Sequence, residues 1–123
     1  MAVYGQSHLG RGIDRRGVST LGNFIAELAI AQNVQSFHVE LFAAGGKISF
    51  AGLRDIDQRK DEQAFDVLAS AARYPATVFD LRPLRSLLRR SPADKRSARD
   101  ASLLYEADAY DAIVCYREVT PMK

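Results

Sequence analysis

The sequence predicts an α/β fold: one domain over residues 1–123, with three layers, a small, mostly parallel sheet of about four strands, and helices on both faces. Three observations carry that expectation. Stretches that alternate apolar and polar residues take turns with stretches whose apolar residues recur every three or four positions, in the order strand, helix, strand, helix, strand, helix, strand. The last apolar run, "YDAIVCYREV", is continuous, as in a strand buried on both faces. Finally, 123 residues with 47% apolar and 26% charged content are enough to bury a single core.

Each element has a local reason. "AVYG" (2–5) reads as a short strand entering a glycine turn, and Gly5, Gly10, Gly12 and Gly17 with Arg11, Arg15 and Arg16 make the next stretch a loop. From Ser19 or Thr20, either of which can cap, Leu21, Phe24, Ile25, Leu28 and Ala29 recur at helical spacing, and the helix should stop near Asn33. "SFHVELFA" alternates: Phe37, Val39 and Leu41 share one side, and His38, Glu40 and Phe42 the other. Gly45 and Gly46 end it, and "KISFAG" reads as a short strand or hairpin arm before a polar loop. Asp61 can cap the helix "EQAFDVLASAARY", with Phe65, Leu68, Ala69 and Ala72 inward and Pro75 as its stop. "ATVFDL" is a compact strand, and Pro83 suits the first turn of "RPLRSLLRR". A polar loop is expected from Ser91 through Arg99, then a brief "ASLLYEAD" before the final strand.

Composition narrows the function classes. A net charge of +2 argues for neither nucleic acid nor a membrane surface. Residues 82–99 do hold seven basic groups against one acidic group and could grip phosphates, but the aromatic residues of a stacking surface are missing from them. No apolar run has membrane-spanning length, and the N-terminus lacks a signal-peptide layout. The single Cys115 excludes an internal disulfide and sits in an apolar run, as a small buried hydrophobe would. A soluble, cytoplasmic protein is the expectation, with a small molecule as the candidate ligand and the cofactor left open.

In an open parallel sheet, ligands sit beyond the carboxyl ends of the strands. Four places then qualify: the turn around His8, the bend at Gly45 and Gly46, residues 80–82, and residues 118–120. The spacing Gly5-x4-Gly10 imitates a phosphate-binding loop. However, Arg11 and Gly12 stand where Lys and Ser or Thr are needed, and the helix begins about eight residues too late. His8 is a candidate general base or metal ligand, or a histidine that hydrogen-bonds its own turn. His38 and Glu40, two apart on one strand side, could be a base and its orienting carboxylate, or belong to an edge strand with one wet face. A metal would need a third ligand, and no cluster with ligand spacing supplies one. Asp80 and Arg82 could bind substrate, or be a helix cap and an ion pair.

Taken in order, "VYGQSHLGRG", "TLGNFIAELA", "HVELFAAGGKI", "VFDLRPL" and "YDAIVCYREVTPM" resemble the C-terminal portion of erythromycin-esterase-like proteins. In that family a strand leads to a His-Asn-x-His motif; here Gly5 stands at the first histidine, Gln6 at the asparagine and His8 at the second histidine. The resemblance implies an α/β hydrolytic fold in which histidine activates water for attack on an ester or lactone. It implies His8, Glu40 and Glu118 as catalytic groups. Gln6, Arg11, Asp80 and Arg82 would bind substrate, Arg11 holding an anionic group or a polarised carbonyl. The family's other catalytic histidine and glutamate lie in a preceding half. The chain is therefore expected to be incomplete as a catalyst, and to pair with another copy or with such an N-terminal half. Exposed sheet edges point the same way. The competing reading is a non-catalytic binding or homo-oligomeric assembly module; a nucleic-acid contact domain through residues 82–99 is the third.

Overall fold

A computed structural model describes residues 8–14, 16–49, 53–55 and 63–120. Within them the elements run α1 (Leu21–Ala31), β1 (Val39–Ala43), β2 (Lys47–Ser49), β3 (Leu53–Asp55), α2 (Gln63–Ala71), β4 (Ala76–Asp80), α3 (Arg82–Leu88), α4 (Ala98–Ala109) and β5 (Ala112–Tyr116). The class is α/β. The expected strand over 2–5 and the Asp61 cap lie outside the described residues.

The main sheet has the order β1-β5-β4. β1 runs parallel to β5, with Val39 opposite Ala112, whereas β4 runs antiparallel to β5, with Asp80 opposite Ala112. The sheet is thus mixed rather than mostly parallel, with three strands among the described residues. The expectation of a parallel β4–β5 pair assumed one helix between those strands. Two helices, α3 and α4, connect them, and the second adds one more reversal of chain direction. β2 and β3 form a separate antiparallel hairpin, Lys47 opposite Asp55.

Local chemistry sets the helix limits. Thr20 caps α1, its Oγ1 accepting from the Asn23 amide at 3.0 Å. Asn33, in the left-handed region at φ 53°, turns the chain out after the helix. Pro83 lies in the first turn of α3. The polar loop expected through Arg99 is instead a 3-10 turn, Ala93–Lys95, followed by α4 from Ala98. Ser97 caps α4, accepting from the Asp100 amide at 3.1 Å.

The core lies on one side of the main sheet. Phe65 and Leu68 of α2, Leu81, Ala107 and Ala109 of α4, Tyr110 and Ile113 form it, with Phe42, Phe79 and Leu84 packed against them. Phe42 stacks on Phe65 with ring centroids 4.4 Å apart. Alternation along the strands puts Glu40, Phe42, Phe79, Ile113 and Cys115 on this covered side. Val39, Leu41, Val78, Val114 and Tyr116 fall on the other side, where Val39, Leu41, Val78 and Tyr116 are exposed.

Candidate functional site

At the amino ends of β1 and β5 the fold converges on Asp111, which with Tyr110 forms the buried link between α4 and β5. A carboxylate entering a buried strand needs strong partners, and Asp111 has several. Arg11 binds it through two bonds, Nη1 to Oδ2 at 2.7 Å and Nη2 to Oδ1 at 2.9 Å. Arg85 Nη2 donates to Oδ1 at 2.8 Å, and the His38 amide donates to Oδ2 at 2.8 Å. Burial alone would raise the pKa of this carboxyl; the bonds from Arg11, His38 and Arg85 outweigh it and hold the group well below the ordinary carboxylate range. Arg85 also donates to the Ala107 and Tyr110 carbonyls, so a cation closes the carboxyl end of α4.

His38 is equally engaged. Its Nδ1 lies 2.8 Å from the Leu9 carbonyl, which can only accept, so Nδ1 carries the proton. In the neutral ring Nε2 then accepts from the Ser36 hydroxyl at 2.9 Å. This buried ring fastens the glycine loop to β1 instead of facing a ligand.

The loop carrying His8 is pinned at successive residues. Besides the Leu9 contact, Thr20 Oγ1 donates to the Gly10 carbonyl, the Arg11 amide donates to Ala109 O at 2.9 Å, and the Gly12 amide donates to Asn23 Oδ1 at 3.0 Å. Gly22 permits this approach, because a Cβ there would stand 2.1 Å from the Leu9 carbonyl oxygen. His8 itself is exposed, and its imidazole makes no hydrogen bond or ion pair among the described residues.

Asp80 and Arg82 pair with each other at the same end of the sheet, Nη2 to Oδ2 at 2.7 Å and Nε to Oδ1 at 2.9 Å. The Arg82 side chain and then its amide push the Asp80 carboxyl down to about 2. The Arg82 guanidinium also lies 5.4 Å from the centroid of the Phe37 ring.

The carboxyl ends of β1 and β5 build a different place. Their pairing continues past the strands: Ala44 N donates to Tyr116 O at 2.8 Å, Val119 N to Gly45 O at 3.1 Å, and Lys47 N to Val119 O at 2.9 Å. Beside this kink an open cleft of about 670 Å³ is lined by Ala44, Gly45, Gly46, Arg117 and Glu118 with Asp66, Ala69 and Ser70 of α2. Two carboxylates, a hydroxyl and a guanidinium can orient a small polar ligand there by hydrogen bonds.

The structure therefore divides the candidate residues. His8, Arg11, Asp80 and Arg82 gather at the amino end of β5, the last two because β4 is antiparallel and ends there. Glu118 stands at the opposite end, a five-residue strand away, roughly 17 Å. Glu40 is buried in the middle of β1, and Gln6 lies outside the described residues. Sequence reasoning missed Asp111, Arg85, Asp66, Ser70 and Arg117. For Asp111 the signal was a carboxylate directly preceding an apolar run, downstream of an arginine-rich helix.

Four of the seven basic groups of residues 82–99 are engaged within the chain. Arg82 holds Asp80, Arg85 holds Asp111, Arg89 meets Asp108 at 2.6 Å, and Arg96 donates to Leu88 O at 3.1 Å. Cys115 is fully buried, and burial pushes its thiol up. Among the described residues no three His, Cys, Asp or Glu side chains gather as metal ligands would, and no helix is long and apolar enough to cross a membrane. Comparison of the chain with protein-family models, with curated proteins and with solved structures gives no match.

Proposed function

We propose that the chain is a hydrolase-related α/β domain of the erythromycin-esterase-like kind, acting on an ester or lactone of a small molecule. His8 is its water-activating group, and the catalytic set is completed from another polypeptide surface. The observation that carries this reading is the contrast at the glycine loop. Leu9, Gly10, Arg11 and Gly12 are each fixed to β1, α1 or α4, while the His8 imidazole beside them is exposed and makes no hydrogen bond or ion pair among the described residues. A general base needs a held backbone and an accessible nitrogen; the pinned neighbours and the exposed ring of His8 support that role.

The rest of the expected set supports incompleteness. Arg11 is turned inward onto Asp111, Glu40 is buried, and Glu118 is at the far end of the sheet from His8. This reading places the domain in the cytoplasm. The test is hydrolysis of p-nitrophenyl acetate by the purified chain at pH 7.5. Slow turnover is expected, falling to the buffer rate in His8→Ala and persisting in Lys95→Ala; equal rates in the wild type and His8→Ala would remove His8 from the chemistry.

A second reading, an assembly module without chemistry, is favoured by one specific observation, the exposed apolar side of the main sheet. A nucleic-acid role through residues 82–99 is left with Arg90, Lys95 and Arg99, which have no partner among the described residues.

A further inference from the structure

We propose that the uncovered side of the β1-β5-β4 sheet is the docking surface for a second copy of this chain. The proposal does not rest on the hydrolase reading, since the side chains it buries, Val39, Leu41, Val78 and Tyr116, are outside that site and only Asp80 and Arg82 at its rim are shared with it. It starts from the pattern of the strands. Leu41 and Phe42 are neighbours in β1, Val78 and Phe79 in β4, and Ile113 and Val114 in β5, so each strand is apolar on both sides. Strands of that kind belong to a sheet buried on both faces. Here α2, α3 and α4 supply the core on one side only, and on the other Leu41 is 62% exposed, Val78 67% and Val39 41%.

Size selects the occupant. At roughly 150–220 Å² for a whole side chain, the exposed parts of Phe37, Val39, Leu41, Val78 and Tyr116 sum to about 450 Å² of apolar surface. With a polar rim this approaches the ~800 Å² per partner that a specific dimer buries. Among the described residues nothing covers Leu41 or Val78 on this side.

Charge permits self-association. A two-fold contact sets a patch against itself, so its rim must carry both signs, and Asp80 and Arg82 supply one of each at one end. Two flat faces of Val, Leu and Tyr then pack as the layers of a sandwich, about 10 Å apart.

Sedimentation equilibrium of the intact chain at 5–50 µM tests this, with Leu41→Asp and Val78→Asp on the face and Ile30→Asp on α1 as the control. The expected result is a dimer for the wild type and Ile30→Asp, and at least tenfold weaker association for both face variants with unchanged far-ultraviolet circular dichroism. Hydrogen exchange of the wild type needs no variant: protection of β1 and β4 amides should rise with concentration while that of α1 stays constant. A wild-type monomer at 50 µM would overturn the proposal and assign the face to a different protein or to another part of a longer chain. A dimer that survives both face variants, or whose β1 and β4 protection ignores concentration, overturns it equally.

Discussion

Asp111 is the residue on which the amino end of the sheet depends. It joins the glycine loop through Arg11, α3 through Arg85 and β1 through the His38 amide. Removing it would leave two guanidinium groups facing a buried apolar strand without their anion. We expect Asp111→Asn to lose about 3 kcal/mol in urea unfolding at pH 7. The sign of the pH effect follows from the direction of the shift. A carboxyl held below its ordinary value stabilises the fold above the unfolded-state value near ~3.9 and loses that contribution as acid is added. Stability of the wild type should therefore be level above about pH 5 and fall from about pH 4 downward. Asp80, held at about 2 but exposed, adds only weakly in the same window. Asp111→Asn should show a flatter acid limb; an acid limb identical to that of the wild type would remove Asp111 as its source. The roles of single residues were only partly legible in the sequence. Cys115 could be read from its apolar neighbours. The Asp111 network could not, because its partners come from positions 11, 38 and 85, and nothing in local spacing joins them.

Among the elements, legibility followed the strength of the apolar stripe. Phe65 and Leu68 announced α2, and Leu21, Phe24 and Leu28 announced α1. α4 escaped because its buried face is made of small or polar groups, Ala107, Ala109 and Glu106 beside the single Leu104. Its remaining signal was the cap, Ser97 followed by Asp100 three residues on. The glycine turns divide by what surrounds them, and this gives a paired prediction. Gly12 has φ 87° with open space around a would-be Cβ, so Gly12→Ala should cost only the left-handed backbone penalty, about 1 kcal/mol. Gly46 has φ 103°, and its Cβ would also stand 2.0 Å from the Val119 carbonyl oxygen, where the chain continues the β1–β5 pairing. Gly46→Ala should cost that penalty and a further 1–3 kcal/mol, roughly, for displacing backbone. Urea midpoints of the two variants decide it, and equal losses would mean that the Val119 segment does not hold its place beside Gly46.

For the whole molecule, the α/β class was legible because strand and helix periods are local, whereas strand direction was not. Direction depends on the number of reversals between strands, and the unrecognised α4 changed that number for β4 and β5. The same error separated the candidate site, since an antiparallel β4 carries Asp80 and Arg82 away from Glu118. Strand order also sets where the fold is strong. β5 is paired on both sides and enclosed at Ala112, Ile113 and Cys115, so its amides open only when most of the domain unfolds. α1 has the opposite character: only Gly22 and Ala29 are buried along it, while Phe24 is 62% and Ile30 77% exposed. A helix of eleven residues has little stability without packing. Native-state hydrogen exchange should therefore find the amides of β5 slower than those of α1 by about two orders of magnitude or more. The first turn of α1, tied through Thr20 and Asn23 to the glycine loop, should exchange more slowly than its last turn. If α1 instead matched β5 in protection, its apolar side would have to be covered in solution by something beyond the described contacts. The helix would then belong to the cooperative core instead of standing at its margin.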